Sequence, residues 1–250
     1  MEIVDLTYES ATVRILTDVS AEIPEGSITA LVGRNGAGKT TLLRCLGGDL
    51  PPSAGRVTVG GVDVDLASDQ WKRSMGFVPD DDELFEELTV EEHLTFAATL
   101  FGVKREAIAG RVTVLLDLSG LAPRSSSLAR ELSAGMRKRL AIALALVHSP
   151  RVLLFDEPLD SLDYDGGETF LQTLRYLRSL GRTALISGHS LPSLIAVADR
   201  IVEMDGGRIV NTLDLPAGKA APEGVLPMLK SVSSAAGAPQ GAICLPWMEE

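Results

Sequence analysis

The sequence predicts an α/β fold with a parallel sheet at its centre and a helical subdomain inserted into the chain. Residues 151–155 and 183–187 are largely apolar runs without alternation, which is typical of central strands buried on both faces. A third apolar strand, residues 27–32, leads into a glycine-rich loop that opens a helix. From about residue 83 to residue 149 the pattern is nearly all helical, whereas strands dominate before it.

The N-terminal part of the chain predicts an antiparallel β subdomain. Residues 2–6 and 12–23 predict two strands separated by a polar turn, and residues 24–26 form a second turn before the loop strand. Short strands are also predicted at residues 56–59 and 75–79.

The predicted helices carry start signals. Thr89 followed by Glu92 is a capping box, in which each residue satisfies a backbone amide at the helix start. Residues 104–118 predict a second amphipathic helix, and Ser133 is placed to cap a third. Residues 166–180 predict the helix that connects the last two parallel strands.

The C-terminal part predicts a hairpin and then a tail. Residues 199–204 and 208–213 pair around an Asp-Gly-Gly turn. We therefore place one domain at residues 1–213 and a tail rich in Pro, Ala, Gly and Ser at residues 214–250. Two alternatives stay open for this tail, disorder or a position on a partner, and the apolar patch at residues 243–247 is its only hint of a contact.

The composition is that of a globular chain with an acidic balance. The chain has 250 residues, 45% of them hydrophobic, and a net charge of −11. Because nucleic-acid binding needs a basic face, we expect no nucleic acid partner, and direct adhesion to anionic lipid is disfavoured. The longest apolar run, residues 140–147, is too short to span a bilayer, and Met1–Asp5 lacks the features of a signal peptide. The lone thiols Cys45 and Cys244 indicate a reducing cytosol.

The glycine-rich loop, residues 33–41, matches the phosphate-binding pattern of two glycines separated by four residues and followed by Lys and a hydroxyl residue. Glycines let backbone N–H groups turn towards a phosphate, and the helix start adds unpaired donors. Lys39 would reach the β- and γ-phosphates, and the Thr40 hydroxyl would hold Mg²⁺. A glycine-rich turn that binds nothing would lack the strand before it and the helix after it. The loop therefore predicts a nucleoside triphosphate site.

Two adjacent carboxylates follow the apolar run at residues 151–155. Asp156 is placed to support Mg²⁺, and Glu157 to polarise a water for in-line attack on the γ-phosphate. Aspartate is common at this edge of parallel sheets for structural reasons alone, but ligands of open α/β sheets gather at the same edge. The phosphate-binding loop makes the catalytic interpretation the stronger one.

Two further features leave alternatives open. Ser133 and Gly135 at a helix start form an anion site, although a plain capped helix would show the same residues. Tyr8 offers either packing at a sheet edge or a flat surface on which adenine stacks.

Taken in order along residues 1–213, these motifs resemble the ATP-binding subunit of an ABC transporter. The matching features are the adenine-stacking aromatic Tyr8, the Walker A loop at residues 33–41, the signature at 132–136, Walker B at 153–157, the D-loop at 161–163 and the switch histidine His189. The resemblance implies a P-loop NTPase core that binds ATP and Mg²⁺. Its nucleotide-binding residues would be Tyr8, Gly33, Asn35, Gly36, Gly38, Lys39, Thr40 and Thr41.

The resemblance also implies roles for the other motif residues. Glu157 would be the catalytic base, and His189 would contact the γ-phosphate. In this family two domains meet head to tail, so Ser133 and Gly135 would serve the nucleotide of a partner subunit, in a homodimer or a heterodimer. Asp163 belongs to the D-loop.

The chain departs from the family pattern at two positions. Ala134 stands where the signature usually has glycine, and Asp80 where the loop after residues 75–79 usually begins with glutamine. Aspartate can ligate Mg²⁺ but cannot donate a hydrogen bond, so Asp80 is a third candidate metal ligand. Alternatively, Asp80 belongs to a solvated acidic surface with its acidic neighbours at residues 81–83.

The resemblance implies ATP hydrolysis that powers transport through a separate membrane permease, with the subunit on the cytoplasmic face of the membrane. The basic continuation of the signature and the acidic loop are similar to efflux-type bacterial subunits, so we expect export. The alternatives are a soluble ABC-type ATPase that acts in regulation or translation, and an ATP-binding regulator whose hydrolysis Asp80 impairs. Neither the substrate nor the partner of the dimer is readable from the sequence.

Overall fold

A computed structural model of the protein describes residues 1–81, 83–188, 191–215 and 246–248. The fold is α/β, as predicted, with one antiparallel sheet, one mostly parallel sheet and a set of helices between and around them. The strands are β1 (Glu2–Ser10), β2 (Val13–Glu22), β3 (Ile28–Val32), β4 (Ala54–Val59), β5 (Val62–Asp63), β6 (Met75–Val78), β7 (Val152–Phe155), β8 (Thr183–Ser187), β9 (Arg200–Asp205) and β10 (Arg208–Asp214).

The larger sheet has six strands in the order β10-β9-β3-β8-β7-β6. All its neighbouring pairs are parallel except the β9–β10 hairpin. Every residue of β3, β7 and β8 is buried, because helices or the second sheet cover both faces, and this explains their unbroken apolar sequences. The carboxyl ends of β3 and β7, from which the loop and the carboxylates emerge, therefore lie at one edge of the sheet.

The smaller sheet has the order β2-β1-β4-β5 and is antiparallel throughout. Leu6, Leu16 and Val57 of this sheet are fully buried. They share a hydrophobic cluster with Leu42 and Leu46, which follow the glycine-rich loop. This packing fixes the helix after the loop against both sheets.

The helices are α1 (Lys39–Gly47), α2 (Asp69–Ser74), α3 (Val90–Leu100), α4 (Arg105–Leu118), α5 (Ala134–Leu146), α6 (Tyr164–Ser179) and α7 (Leu191–Ile195). The capping box at the start of α3 is confirmed, since the Thr89 hydroxyl accepts from the Glu92 amide and the Glu92 carboxylate accepts from the Thr89 amide. The Ser133 cap of α5 is also confirmed, because its hydroxyl accepts from the Met136 amide at 3.3 Å.

Two helices differ from the sequence expectation. Helix α6 begins two residues earlier than predicted, because the Asp163 carboxylate caps it by accepting from the Gly166 amide at 2.9 Å. Helix α2 was not predicted. It has one buried residue, Trp71, which is too few to give a helical period, although Ser68 caps it.

A short 3₁₀ turn at Pro246–Met248 returns to the folded domain. The Trp247 ring lies 5.5 Å from the Arg111 guanidinium of α4, and the Met248 carbonyl accepts from Arg182 at 2.8 Å. Met248 is 2% exposed. Trp247, the last residue of the apolar patch, therefore lies against the chain's own domain, while residues 216–245 of the predicted tail lie outside the described residues. Within the part of the chain that the structure describes, none of the helices has the length and apolar character needed to span a bilayer.

Candidate active site

The glycine-rich loop connects the end of β3 to the first residue of α1. A Cβ atom at Gly33 would lie 2.3 Å from the Met204 carbonyl oxygen, so only glycine fits against the end of β9. Gly36 has a φ of 81°, in the left-handed region that glycine adopts most readily, and a Cβ there would meet nothing within 4 Å. Gly38 is the N-cap of α1 and has no side chain to cap it, so the helix start can present its amides to an anion.

Lys39 brings a positive charge into this loop. Its side chain is 5% exposed, and its ammonium donates to the carbonyl of Gly33 at 3.0 Å and to that of Arg34 at 3.4 Å. The same ammonium lies 3.5 Å from Oε1 of Glu157. The cation of the loop and the carboxylate after β7 therefore share one small, largely buried space.

Asp156 is fully buried at the end of β7. Its Oδ1 accepts a hydrogen bond of 2.6 Å from the hydroxyl of Ser187, whereas its Oδ2 has no hydrogen-bond partner among the described residues. A buried carboxylate oxygen without a partner needs a compensating ligand. Because carboxylate and hydroxyl oxygens suit Mg²⁺, the donor set of Asp156 and Thr40 fits that ion.

Glu157 has an unusual backbone conformation. Its φ is 45°, which is uncommon for a residue other than glycine and costs about 1–3 kcal/mol. Its amide donates to the Ser187 hydroxyl at 2.9 Å. Sequence reasoning did not single out Ser187, because a serine at the end of an apolar strand gives no signal of its partners on another strand.

A single cavity gathers most of the predicted nucleotide-binding residues. It is lined by Ile15, Asn35, Gly36, Gly38, Lys39, Thr40, Thr41, Asp80, Glu157 and Asp160. Ile15 and Asp160 were not predicted from the sequence. Asp80 lines this cavity although its side chain is exposed, so it faces both the site and solvent.

Other predicted residues lie elsewhere. Tyr8 is half-buried on β1 opposite Leu16, and packs against the hydrophobic cluster of the smaller sheet. Ser133 and Gly135 lie at the start of α5, and Asp163 at the start of α6, away from the cavity lining. His189 lies outside the described residues.

Comparison with known proteins decides the family. The profile of the ABC transporter family matches residues 16–160, which is more than half of the chain. The chain belongs to the ABC transporter family. Its fold also matches the dimeric, post-hydrolysis structure of an ATP-binding cassette bound to ADP and Pi, with a TM-score of 0.79, 26% identity and coverage of 86% of this chain and 99% of that one.

Two relatives show the range of the family. The methionine import ATP-binding protein MetN 1 of Rhodopseudomonas palustris is 38% identical over 80% of this chain, and the phospholipid-transporting ATPase ABCA3 of Homo sapiens is 37% identical over 77%. The chain spans only 55% and 11% of the lengths of these two proteins. The expected export direction is not supported, because relatives such as MetN 1 are named as import proteins.

The backbone at Asp80, where the sequence departs from the family pattern, is hydrogen-bonded to α5, the helix of the predicted signature. Lys138 of α5 is 1% exposed, and its ammonium donates to the carbonyls of Pro79 at 2.9 Å and Asp80 at 2.8 Å. Partial burial raises the pKa of the Asp80 carboxyl, and the negative charge of Asp156 raises it further, whereas Lys138 lowers it. Sequence reasoning missed Lys138, since a lysine in a basic run is normally a surface residue.

Gly135 has a structural reason to be glycine. A Cβ atom at this position would lie 2.8 Å from the carbonyl oxygen of Ser161, a residue of the predicted D-loop. The signature helix and the D-loop of one chain therefore approach each other closely.

We expect Gly135→Ala to lower the free energy of unfolding by about 1–3 kcal/mol, because the added methyl group overpacks against a backbone carbonyl. The matched control is Gly110→Ala in α4, where a Cβ meets nothing within 4 Å. The control should gain up to about 1 kcal/mol from helix propensity. Urea unfolding of both variants measures the difference. An equal increase in the free energy of unfolding of the two variants would contradict the close approach of Gly135 to Ser161.

Proposed function

We propose that this protein binds ATP with Mg²⁺ and hydrolyses it to ADP and phosphate. The observation that carries the proposal is the convergence of the phosphate-binding loop with the carboxylates after β7. The Lys39 ammonium lies 3.5 Å from the Glu157 carboxylate, next to a fully buried Asp156. These are the charges that phosphoryl transfer requires, at the edge of the sheet where α/β folds bind ligands.

In this proposal the loop positions the triphosphate. Backbone amides of the loop and of the start of α1 donate to phosphate oxygens, and Lys39 donates to the β- and γ-phosphates. Asn35 and Thr41 line the same cavity and contribute polar groups. Tyr8, which is half-buried on β1, is proposed to stack on the adenine ring.

The metal site is proposed at the Thr40 hydroxyl and Oδ2 of Asp156, with Asp80 as a further ligand. When bound, Mg²⁺ would neutralise the charge that develops on the phosphate oxygens. Support comes from the unpartnered, buried Oδ2 and from the position of Thr40 and Asp80 on the cavity.

Glu157 is the proposed general base. Its carboxylate accepts a proton from water as the water oxygen attacks the γ-phosphorus in line with the bond to the β-phosphate oxygen. That bond breaks, and ADP leaves with the electron pair on its terminal oxygen. His189 is proposed to contact the γ-phosphate.

Glu157→Gln removes the proton acceptor and keeps the shape of the side chain. We expect turnover to fall by about 10²–10⁴-fold, while ATP affinity is retained. The control is Glu106→Gln at an exposed position of α4, which loses the same charge far from the site. Steady-state ATPase assays and equilibrium ATP binding measure the two effects. Wild-type turnover in Glu157→Gln would remove Glu157 from this role.

We further propose that two subunits bind ATP between them, head to tail. Ser133 is exposed and caps α5 away from the cavity of its own loop, so Ser133 and Gly135 are available to the nucleotide of another subunit. The related cassette with ADP and Pi was described as a dimer, which supports this arrangement. Both a homodimer and a heterodimer satisfy it.

A separate membrane permease is the proposed partner, with this subunit on the cytoplasmic face of the membrane. One groove is lined by three large apolar residues that are exposed to an unusual degree, namely Phe85 (60%), Phe96 (49%) and Leu100 (60%). Pro79, directly before Asp80, lines the same groove. A permease segment seated on this groove would lie next to the nucleotide site. We leave the substrate and the direction of transport unassigned.

Asp80→Gln tests whether this carboxylate takes part in metal-dependent binding. A carboxylate near the triphosphate repels it unless Mg²⁺ lies between them, so the variant should bind metal-free ATP more tightly and depend less on Mg²⁺. The control is Asp81→Asn, whose side chain is 88% exposed. ATP affinity is measured with and without Mg²⁺. The same Mg²⁺ dependence of ATP affinity in wild type and Asp80→Gln would contradict a role in metal binding. It would favour the alternative that Asp80 belongs to the solvated acidic surface.

A further inference from the structure

We propose that Ser187 is a positioning residue that holds both active-site carboxylates, through one hydroxyl group that binds the side chain of Asp156 and the backbone of Glu157. The inference rests on the proposed function, because it assigns a role within the same site. It adds a residue on a different strand, β8, to the groups on which metal binding and hydrolysis depend.

The position of Ser187 follows from the strand register. Phe155 of β7 pairs with Ile186 of β8. The next residue of each segment, Asp156 after β7 and Ser187 at the end of β8, therefore lies at the same edge of the sheet. Ser187 is 0% exposed, as is Asp156. The serine hydroxyl donates to Oδ1 of Asp156 at 2.6 Å and accepts from the Glu157 amide at 2.9 Å. One hydroxyl group therefore binds two consecutive residues, donating its proton to Asp156 and accepting with a lone pair from Glu157.

The bond to Asp156 selects which carboxylate oxygen is available. Oδ1 is occupied by the serine, whereas Oδ2 is buried and has no hydrogen-bond partner among the described residues. Groups that bind the ligands of a metal fix their orientation, and their loss weakens the site. Without the hydroxyl, the carboxylate could rotate and its two oxygens would become equivalent.

The bond to Glu157 stabilises an uncommon backbone conformation. A positive φ such as the 45° of Glu157 persists only when surrounding contacts hold it. The conformation turns the chain out of the extended path of β7, and the Glu157 carboxylate lies 3.5 Å from the Lys39 ammonium. Loss of the hydroxyl would leave a partly buried amide without this acceptor and would let the Glu157 carboxylate move.

A purely structural role is the alternative, and β8 contains a control for it. Thr183, at the opposite end of the strand, is also buried, and its hydroxyl accepts from the Gly26 amide at 3.0 Å. Both hydroxyls satisfy a backbone amide from a different segment. Only Ser187 also contacts a carboxylate of the site.

The experiment compares Ser187→Ala, Ser187→Thr and Thr183→Val with wild type. Mn²⁺ replaces Mg²⁺ as a spectroscopic probe, and its affinity for the ATP-bound protein is measured by electron paramagnetic resonance, alongside kcat, KM and Tm. We expect Ser187→Ala to lower both Mn²⁺ affinity and kcat by about 10- to 100-fold, with little change in KM. Ser187→Thr, which keeps the hydroxyl, should recover most of both. Thr183→Val should lower only Tm.

The outcomes separate the two proposals. Wild-type Mn²⁺ affinity in Ser187→Ala, or an equal loss in Thr183→Val, would overturn the positioning role. A wild-type protein that binds Mn²⁺ and ATP without hydrolysing ATP would overturn the proposed catalysis, while the Mn²⁺ measurement still decides on Ser187. If Ser187→Ala does not fold, Ser187→Cys keeps the volume with a weaker hydrogen-bonding group, and the same loss of Mn²⁺ affinity is expected from it.

Discussion

Burial of the Lys39 ammonium is the constraint from which the organisation of this site follows. A charge removed from water needs close partners, and Lys39 has them in the carbonyls of Gly33 and Arg34 and in the Glu157 carboxylate. Those partners come together only if the loop curls back over the start of its own helix and if β7 ends at the same edge of the sheet as β3. The glycines and the parallel sheet therefore both help to place partners around the buried charge of Lys39. In the proposed function, a triphosphate takes the place of the carbonyls as the partner of this lysine.

The sheet supplies the remaining geometry through its strand order. Because β8 lies between β3 and β7, its last residue can reach the carboxylates, while the loop lies on the other side. Helix α5 makes two further contacts near the site. The ammonium of the buried Lys138 donates to the backbone carbonyl of Asp80, and Gly135 allows α5 to lie against Ser161 of the predicted D-loop. Within one chain, α5 is therefore bonded to a residue that lines the cavity and also lies against the predicted D-loop.

The sequence predicted the parts of the site that depend on local patterns. The phosphate-binding loop, the carboxylate pair and the capping box at Thr89 are short motifs that can be recognised within a few consecutive residues. Ser187 and Lys138 escaped prediction because each acts across strands or helices far apart in the chain. The expected export direction is not supported by the import relatives, and features near the signature could not decide it, because the nucleotide site has the same chemistry whichever way a permease moves its substrate.

The central claim is that the loop around Lys39 binds ATP, and equilibrium binding of ATP to Lys39→Ala tests it most directly. Charge-assisted hydrogen bonds contribute about 1.5–3 kcal/mol, so the account predicts a loss of affinity of at least about tenfold. Lys72→Ala, at an exposed position of α2, removes the same charge and should bind ATP like the wild type. Circular dichroism confirms that both variants are folded. Wild-type affinity in a folded Lys39→Ala would contradict the account.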